Sequence, residues 1–557
     1  MTIMQGFRNE KGQSRSRVVK SLGYLDDLEK QYPDPIAHFK KIADDLGRDE
    51  KVSGKLTIVT DADAKLEKGN SNLKNYGHII CSKIYHELEI DRFLDNKRRH
   101  ANYKYNIEQI ARLLIFSRIL YPGSKRHDCM TLRDRYFDHF SFTIDDIYES
   151  LDEFNRHAQE LQQHLHEKIV EQYDRKTDLV YYDVTNYYFE IDKEDADRKR
   201  GACKEKRHDP IIQMGLAVDK NAIPIAYRLF AGNTHDSETY MPSMAQIKKD
   251  FGCKRVVVVA DKGLNSGDNI AFSQALGDGY IFSQSIRGAS EELKNFVLDP
   301  EGYTDNSDYK EKSRVIPTMI NVTYKQAGKK KYKRQVQVDQ KQIAFYSSKY
   351  AKRSKYKRDE MLAKAADLIS NPSKYTKATH YGAAGYIMDI KFDPKTGAII
   401  TAKENLILDT NKIAEEEKYD GYYVIVTSEL DESDEKIIDT YHGLWQIEES
   451  FKITKSTLDA RPVYVRNIEH INAHFLICFI ALLILRLIEF RMGNRFRTAR
   501  IVETLRQLEC THIDQNYYLF HYYDEVAELM ENVFHMDLSK KIMSLGEIRK
   551  NLGDVKK

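Results

Sequence analysis

The run VVVVA at residues 256–260 limits this chain more than any other feature. Five consecutive apolar residues leave a strand no polar face, so it must be covered on both sides, as happens when helices pack on either face of a sheet. A helical stretch from about Ser266 and a second strand, GYIFSQ (279–284), follow in the βαβ manner. Upstream, LVYYDVTNYYFE (179–190), IIQMGLAV (211–218) and IPIAYRLF (223–230) carry strand signals. The short polar turn between the last two marks a hairpin, with Asp219 expected as a surface residue of that turn. The expected fold class is α/β, a mixed sheet flanked by helices.

Six segments follow from the patterning. Residues 1–75 read as an N-terminal module, β-prone at SRSRVVKS and helical around Pro35 to Leu46. Residues 76–175 read as a helical region, to which the resemblance given below assigns DNA binding, with apolar residues at helix spacing in IEQIARLLIFSRIL and IYESLDEFNRHAQELQQHLHEKI. Residues 176–288 form the first part of the core, and 289–421 a basic, β-rich insertion. In 422–490 the core resumes with strand YYVIVTS, and DEKIIDTYHGLWQIEESFKITKS then reads as one helix, Ile468 to Met492 as another. Residues 491–557 read as helical.

Composition excludes several classes. With 31% charged and 41% hydrophobic residues, disorder is ruled out over most of the length. The opening MTIMQGFRNEKGQ lacks the apolar core of a signal peptide, and the apolar run Phe475 to Leu485 falls short of the roughly 20 residues a bilayer span needs. A cytoplasmic protein without membrane contact is expected. The six cysteines are scattered with no CxxC pair, so they are expected as reduced structural thiols. His235, His442 and His474 have no ligand spacing, and no metal role is assigned to them.

Three acids stand out. Asp183 lies inside a strand of aromatic and β-branched neighbours, where a carboxylate is costly unless paired or bound to a cation. Asp261 directly follows the apolar strand, at the carboxyl end where open α/β sheets place their ligands. Tyr441, Glu448 and Lys455 recur every seven residues and so share one stripe of a helix. Leu444, Trp445 and Phe451 surround that stripe, so Glu448 is expected to face inward, with Trp445 as a core aromatic rather than a ring stacked on DNA bases. Three carboxylates with no thiolate or histidine make an all-oxygen site suited to Mg²⁺ or Mn²⁺. Two such ions would stabilise the attacking and leaving oxygens of an in-line phosphoryl displacement.

YYDVT, VVADKGL and Tyr441-x2-Leu444-x3-Glu448-x6-Lys455 together resemble the motif regions of bacterial insertion-sequence DDE transposases whose last motif is Y-x2-R-x3-E-x6-K. GNTHD (232–236) after the hairpin and DGYYVIVTS before the last helix are similar to the family's intervening segments. The likeness covers about residues 175–490. It implies a ribonuclease-H-like core interrupted by a β-rich insertion, with Asp183, Asp261 and Glu448 as the metal-binding catalytic triad and Tyr441 and Lys455 at DNA-contacting positions. Leu444 replaces the signature Arg, and DKGL replaces the commoner D-R-G-[YF], so the phosphate contact of that Arg does not carry over. Lys262 would keep a cation beside Asp261.

Between Lys325 and Arg358, thirteen Lys or Arg stand against one acid, Asp339, although the whole chain carries a net charge of only +2. Cations this dense cannot share a dry core, and Tyr interleaved with them suits a groove that tracks a nucleic-acid backbone. DNA contacts are therefore assigned to Lys329, Lys330, Lys331, Lys333, Arg334, Lys352 and Arg353.

The expected function is a nucleoid-associated DNA transposase. It would bind the terminal inverted repeats of its element, cleave with a metal-activated water and transfer the 3′-OH to target DNA, as a homodimer if it follows the family. The alternatives are a ribonuclease-H-like nuclease that only hydrolyses, and a sequence-specific DNA-binding protein with an inactive core. End-joined product separates the first alternative from a transposase.

Overall fold

The computed structural model describes residues 1–8, 14–28, 71–99 and 101–556 with short pieces between 32 and 68, apart from 202, 206, 306–308, 325–329, 377–379, 381, 394–396, 402, 514 and 515. The chain forms two compact units, one of residues 88–124 and 142–490, the other of 1–87, 125–141 and 491–557.

The larger unit begins with helices α1 (Ile90–Arg99), α2 (Ile107–Leu120), α3 (Ile144–Arg156) and α4 (Ala158–Tyr173). Asn106 and Thr143 cap α2 and α3 through their side chains, and Thr143 with Asp146 closes a capping box. The chain then enters β1 (Leu179–Tyr188), β2 (Ile211–Asp219), β3 (Pro224–Ala231), α5 (Asp236–Phe251), β4 (Val257–Ala260), α6 (Gly267–Ala275) and β5 (Gly279–Gln284). These match the strand and hairpin expectations closely.

Further on lie β6 (Thr304–Asp305), β7 (Lys310–Tyr324), β8 (Tyr332–Tyr346), α7 (Ser348–Ser370) and β9 (Tyr422–Thr427). All nine strands belong to one sheet, in the order β3-β2-β1-β4-β5-β9-β8-β7-β6. β1 runs parallel to β4 and β4 parallel to β5, whereas β1–β2 and β2–β3 are antiparallel. Alternation along β1 divides its side chains between two faces. Tyr182 and Val184 join the apolar cluster of Tyr240, Met244 and Ile270 from α5 and α6. On the other face, the Tyr181 hydroxyl donates to Thr440 O at 3.0 Å and the Tyr187 hydroxyl lies 2.7 Å from Thr454 Oγ1.

The span 289–421 departs from its β-rich reading. Its two 15-residue strands extend the core sheet beyond β9, and a 23-residue helix, α7, follows. The basic run is thereby split between the hairpin tip and the first half of α7. Two of its cations are structural: Lys341 is 8% exposed and pairs with Asp434 at 2.7 Å, and Arg358 is 4% exposed and pairs with Asp420 and Glu417. The expectation that the whole run faces solvent fails for these two, because each is fully matched by acids distant in sequence.

The helix expected from Asp434 onward is two helices, α8 (Asp434–His442) and α9 (Trp445–Lys452), followed by a π-helical turn at Ile453–Thr457. The last helix of this unit, α10 (Ile468–Arg491), has 24 residues and is apolar enough to cross a membrane by length and composition, but 94% of its most apolar window is buried within the fold.

In the smaller unit, Thr2–Arg8 pairs with Ser14–Ser21 as an antiparallel hairpin. A four-stranded sheet joins Ile542–Ser544, Tyr517–Phe520, Glu509–Ile513 and Leu73–Asn75 in that order. Residues 491–557 are therefore not simply helical. Their strands are three to five residues long, too short for period-2 alternation to register against the flanking helices. The span 76–175, read as one helical region, is likewise divided between the two units.

Candidate active site

β4 pairs with β1 in the register Leu179↔Val257, Val180↔Val258, Tyr181↔Val259. Continued two residues past its last pair, this register brings Asp183, in the middle of β1, level with Asp261, the residue just after β4, on strands about 4.8 Å apart. Asp183 Oδ1 accepts from Val184 N at 2.7 Å, and Oδ2 lies 4.0 Å from Lys204 Nζ. Burial pushes the Asp183 carboxyl up to about 6, and the charges of Asp261 and Asp236 push the same way against Lys204. Two carboxylates forced this close favour a cation between them.

Asp261 is exposed, and its Oδ1 accepts from Lys262 N at 2.7 Å and from the Ser283 hydroxyl at 2.8 Å. Ser283 sits on β5, where β4–β5 pairing of Ala260 with Phe282 puts it next to Asp261. Tyr441 stands near both the second and the third acid. Burial, opposed by Ser283 and aided by the charges of Asp261, Tyr423 and Glu448, holds its pKa far above the ordinary phenol range.

Gly443 explains why α8 and α9 are separate. A Cβ there would stand 2.1 Å from the Tyr181 hydroxyl, so only glycine lets the helix junction close onto β1. With the junction kinked, Glu448 is exposed rather than facing inward, and Trp445 is 61% exposed rather than part of the core. Leu444 does turn in, at 8% exposed. The expectation for Trp445 fails because the straight-helix stripe did not allow for the break.

Lys455 falls in the π-helical turn, which rotates it away from the stripe. It bonds Glu205 Oε1 at 2.8 Å and lies 5.5 Å from the Tyr187 ring centre. Lys262 is exposed beside Asp261. Lys330, Lys331, Lys333 and Arg334 are exposed at the hairpin tip, and Lys352 and Arg353 on α7; Lys329 lies outside the described residues. Arg353 and Asp261 both act electrostatically on Tyr423, which brings the start of α7 to the neighbourhood of the acids.

Oxygen donors of this kind suit a hard divalent cation. Among the described residues, however, no three His, Cys, Asp or Glu side chains stand close enough together to hold an ion. Asp183 and Asp261 are close enough for their charges to interact, and Asp261 and Glu448 both act electrostatically on Tyr441. Sequence reasoning missed Lys204, Ser283 and Asp236. Ser283 could have been found from strand register, and Asp236 from its place in GNTHD; nothing in the sequence marks Lys204.

A family model described as transposase DDE domain matches residues 186–484, more than half of the chain; the match begins just after Asp183 and includes Asp261 and Glu448. A second, described as IS1634 family transposase, N-terminal domain, matches residues 1–54. Among curated proteins nothing matches. The solved structure described as Mos1 transposase paired-end complex with left transposon end is similar at 13% identity, over 43% of this chain and 66% of that one. Its TM-score of 0.14 carries no argument for the fold.

Proposed function

Since the chain belongs to the bacterial insertion-sequence DDE transposases, we propose that it binds the terminal inverted repeats of its element, cleaves them and joins the freed ends to target DNA. The observation that carries this reading is the strand register which, continued past Tyr181↔Val259, brings Asp183 level with Asp261, and it is supported by the charges of Asp261 and Glu448 both acting on Tyr441. A ribonuclease-H-like core is supported by the first five strands of this unit, whose spatial order is 3-2-1-4-5, and by the insertion between the fifth strand and the Glu448 helix.

Asp183, Asp261 and Glu448 would hold Mg²⁺ or Mn²⁺, two ions in the family's pattern, which supply Lewis acidity and an activated water when bound. The chain's own part is to hold the carboxylates. Ser283 fixes one oxygen of Asp261, Lys204 balances Asp183 when no other cation is near, and the exposed lysines and arginines of the hairpin tip and α7 attract the phosphate backbone. Asp261 and Glu448 are exposed, as a duplex substrate requires, while Asp183 is partly buried. Action as a synapsed homodimer in the nucleoid completes the proposal.

The test is incubation of the purified protein with Mg²⁺ and the DNA flanking its own gene, with cleavage mapped at nucleotide resolution. Cuts at the element ends with end-joined product are expected. Cuts without joining would leave a nuclease. Asp183→Ala, Asp261→Ala and Glu448→Ala should each abolish cleavage while binding persists, and retained Mg²⁺-dependent cleavage in one of them removes that residue from the triad.

A further inference from the structure

The connection between β1 and β2 returns across the face of the sheet that carries Asp183, and its residues Lys204 and Glu205 reach in opposite directions. Lys204 Nζ donates to Val184 O at 2.5 Å and stands 4.0 Å from Asp183. Glu205 Oε1 accepts from Lys455 Nζ at 2.8 Å and forms an ion pair with Arg461 Nη1 at 2.5 Å. Arg461 also lies 5.4 Å from the Tyr188 ring centre, and Arg207 lies 4.0 Å from the same ring.

Resting on the transposase reading above, we propose that Lys455 and Arg461 form a binding site for a DNA backbone phosphate, that Arg461 supplies the guanidinium which Leu444 cannot, and that Glu205 occupies the site until DNA displaces it.

Three features carry the assignment. First, the charges do not balance: two cations, Lys455 and Arg461, meet the single carboxylate of Glu205. Burial, together with Arg461 and Lys204, holds the Lys455 ammonium below its ordinary pKa even though Glu205 pulls it up, while on Glu205 Lys455 and Arg461, helped by the Cys203 thiol, outweigh burial and hold the carboxyl below its ordinary range. A second negative charge is therefore favourable there. Second, the geometry is that of anion recognition, an ammonium and a guanidinium converging on one oxygen acceptor. Third, the site is connected to the chemistry. Lys455 follows the Glu448 helix by one turn, and Lys204, next to Glu205 in the chain, stands against Asp183. A phosphate that displaces Glu205 would loosen Lys204 as well, freeing the side of Asp183 where a divalent cation would enter.

The test measures binding of full-length protein to a duplex of the flanking DNA and to a random duplex across a salt series without divalent metal, with thermal melting of each variant as a check on folding. Arg461→Gln and Lys455→Gln should each weaken binding to both duplexes and lower the slope of log affinity against log salt by about 0.9. Arg461→Lys should recover most of the slope. Glu205→Gln, which removes the internal competitor, should strengthen binding several-fold. An Arg461→Gln protein with wild-type affinity and slope overturns the site, and so does a Glu205→Gln protein that stays folded but binds as weakly as Lys455→Gln, since Glu205 would then only hold the two cations in position. The outcomes separate this site from the transposase reading. Wild-type protein that binds with these variant effects but never cuts the flanking DNA would refute the function and leave the phosphate site standing.

Discussion

Ser283 Oγ donates to Asp261 Oδ1 at 2.8 Å from the neighbouring strand, and the same hydroxyl acts on the Tyr441 phenol. One buried serine, 4% exposed, thus stands between a strand-end carboxylate and α8, the helix just before the one that carries Glu448. Ser283→Ala takes that hydroxyl from both partners at once. It should lower the cleavage rate at least tenfold while costing only about 1 kcal/mol of stability, since the alanine leaves little volume unfilled. Tyr441→Phe should act through the same link, so the double variant should be little slower than either single one. Single-turnover cleavage rates for the four proteins decide it; fully additive losses would mean that Tyr441 acts independently of Ser283.

Asp219 is not a neutral surface position. It is 2% exposed, accepts Arg175 Nε at 2.9 Å, and accepts the backbone N–H groups of Asn221 and Ile223 that shape the β2–β3 turn. Asp219→Ala would leave the buried guanidinium without its counter-charge and should cost about 3–5 kcal/mol of stability. A denaturation curve matching wild type would refute this. Asp192, exposed in the β1–β2 connection, is the better silent control for the triad substitutions.

His166 shares that network, with Nδ1 3.4 Å from Arg175 Nη1 and its ring stacked 4.5 Å from Phe251. Burial, then the Arg175 charge, lowers its pKa to about 4. Below its ordinary pKa of about 6.5 the unfolded chain takes up a proton that the folded chain refuses, so this residue makes stability fall as pH drops from about 6.5 towards 4. The full effect is on the order of 3 kcal/mol. His166→Gln should flatten that limb of the stability–pH curve, read from urea denaturation at intervals across the range, and an unchanged limb would assign the pH dependence to other groups.

Leu444, at the start of α9, packs inward at 8% exposed. Restoring the signature arginine there would bury a guanidinium among apolar neighbours. Leu444→Arg should therefore lower stability by roughly 1–3 kcal/mol and give no gain in cleavage. A faster enzyme of unchanged melting temperature would show that the side chain can swing out to a phosphate.

Much of the core was legible because its strands are long and their patterns clean. VVVVA and GYIFSQ needed only apolar continuity, and the β2–β3 hairpin only its turn. The acids were legible by place, Asp183 as a carboxylate inside a strand and Asp261 at a strand end. What the sequence hid were tertiary facts. The break at Gly443 depends on a tyrosine more than 250 residues earlier, and it exposes Trp445 and Glu448 against the helical-wheel expectation. Lys341 and Arg358 look like members of a solvated basic run until Asp434 and Asp420 fold against them. Ser283 is an ordinary strand residue until the register of β4 and β5 places it beside Asp261.

The hairpin tip holds the part of the basic run most exposed to a polyanion. Lys330, Lys331, Lys333 and Arg334 are all exposed there, and the stacked rings of Tyr324 and Tyr332, 5.9 Å apart, lie 5.9 and 5.3 Å from the Arg334 guanidinium. Thr323, opposite Lys333 in the ladder, donates its N–H to Asp268 Oδ1 at 2.5 Å, so the tip is tied to the start of α6, which follows directly from the Asp261 loop. Cations fixed there with no acid partner among the described residues are placed to touch phosphates. Changing all four to Gln should weaken binding to terminal-repeat and random duplexes about equally and lower the salt slope by about 0.9 for each lost contact. Lys341→Gln, by contrast, should reduce stability and leave the slope unchanged, because that ammonium already serves Asp434. An unchanged slope in the fourfold variant would make the tip a solvated loop, and a loss confined to the terminal repeat would mean that the tip reads sequence.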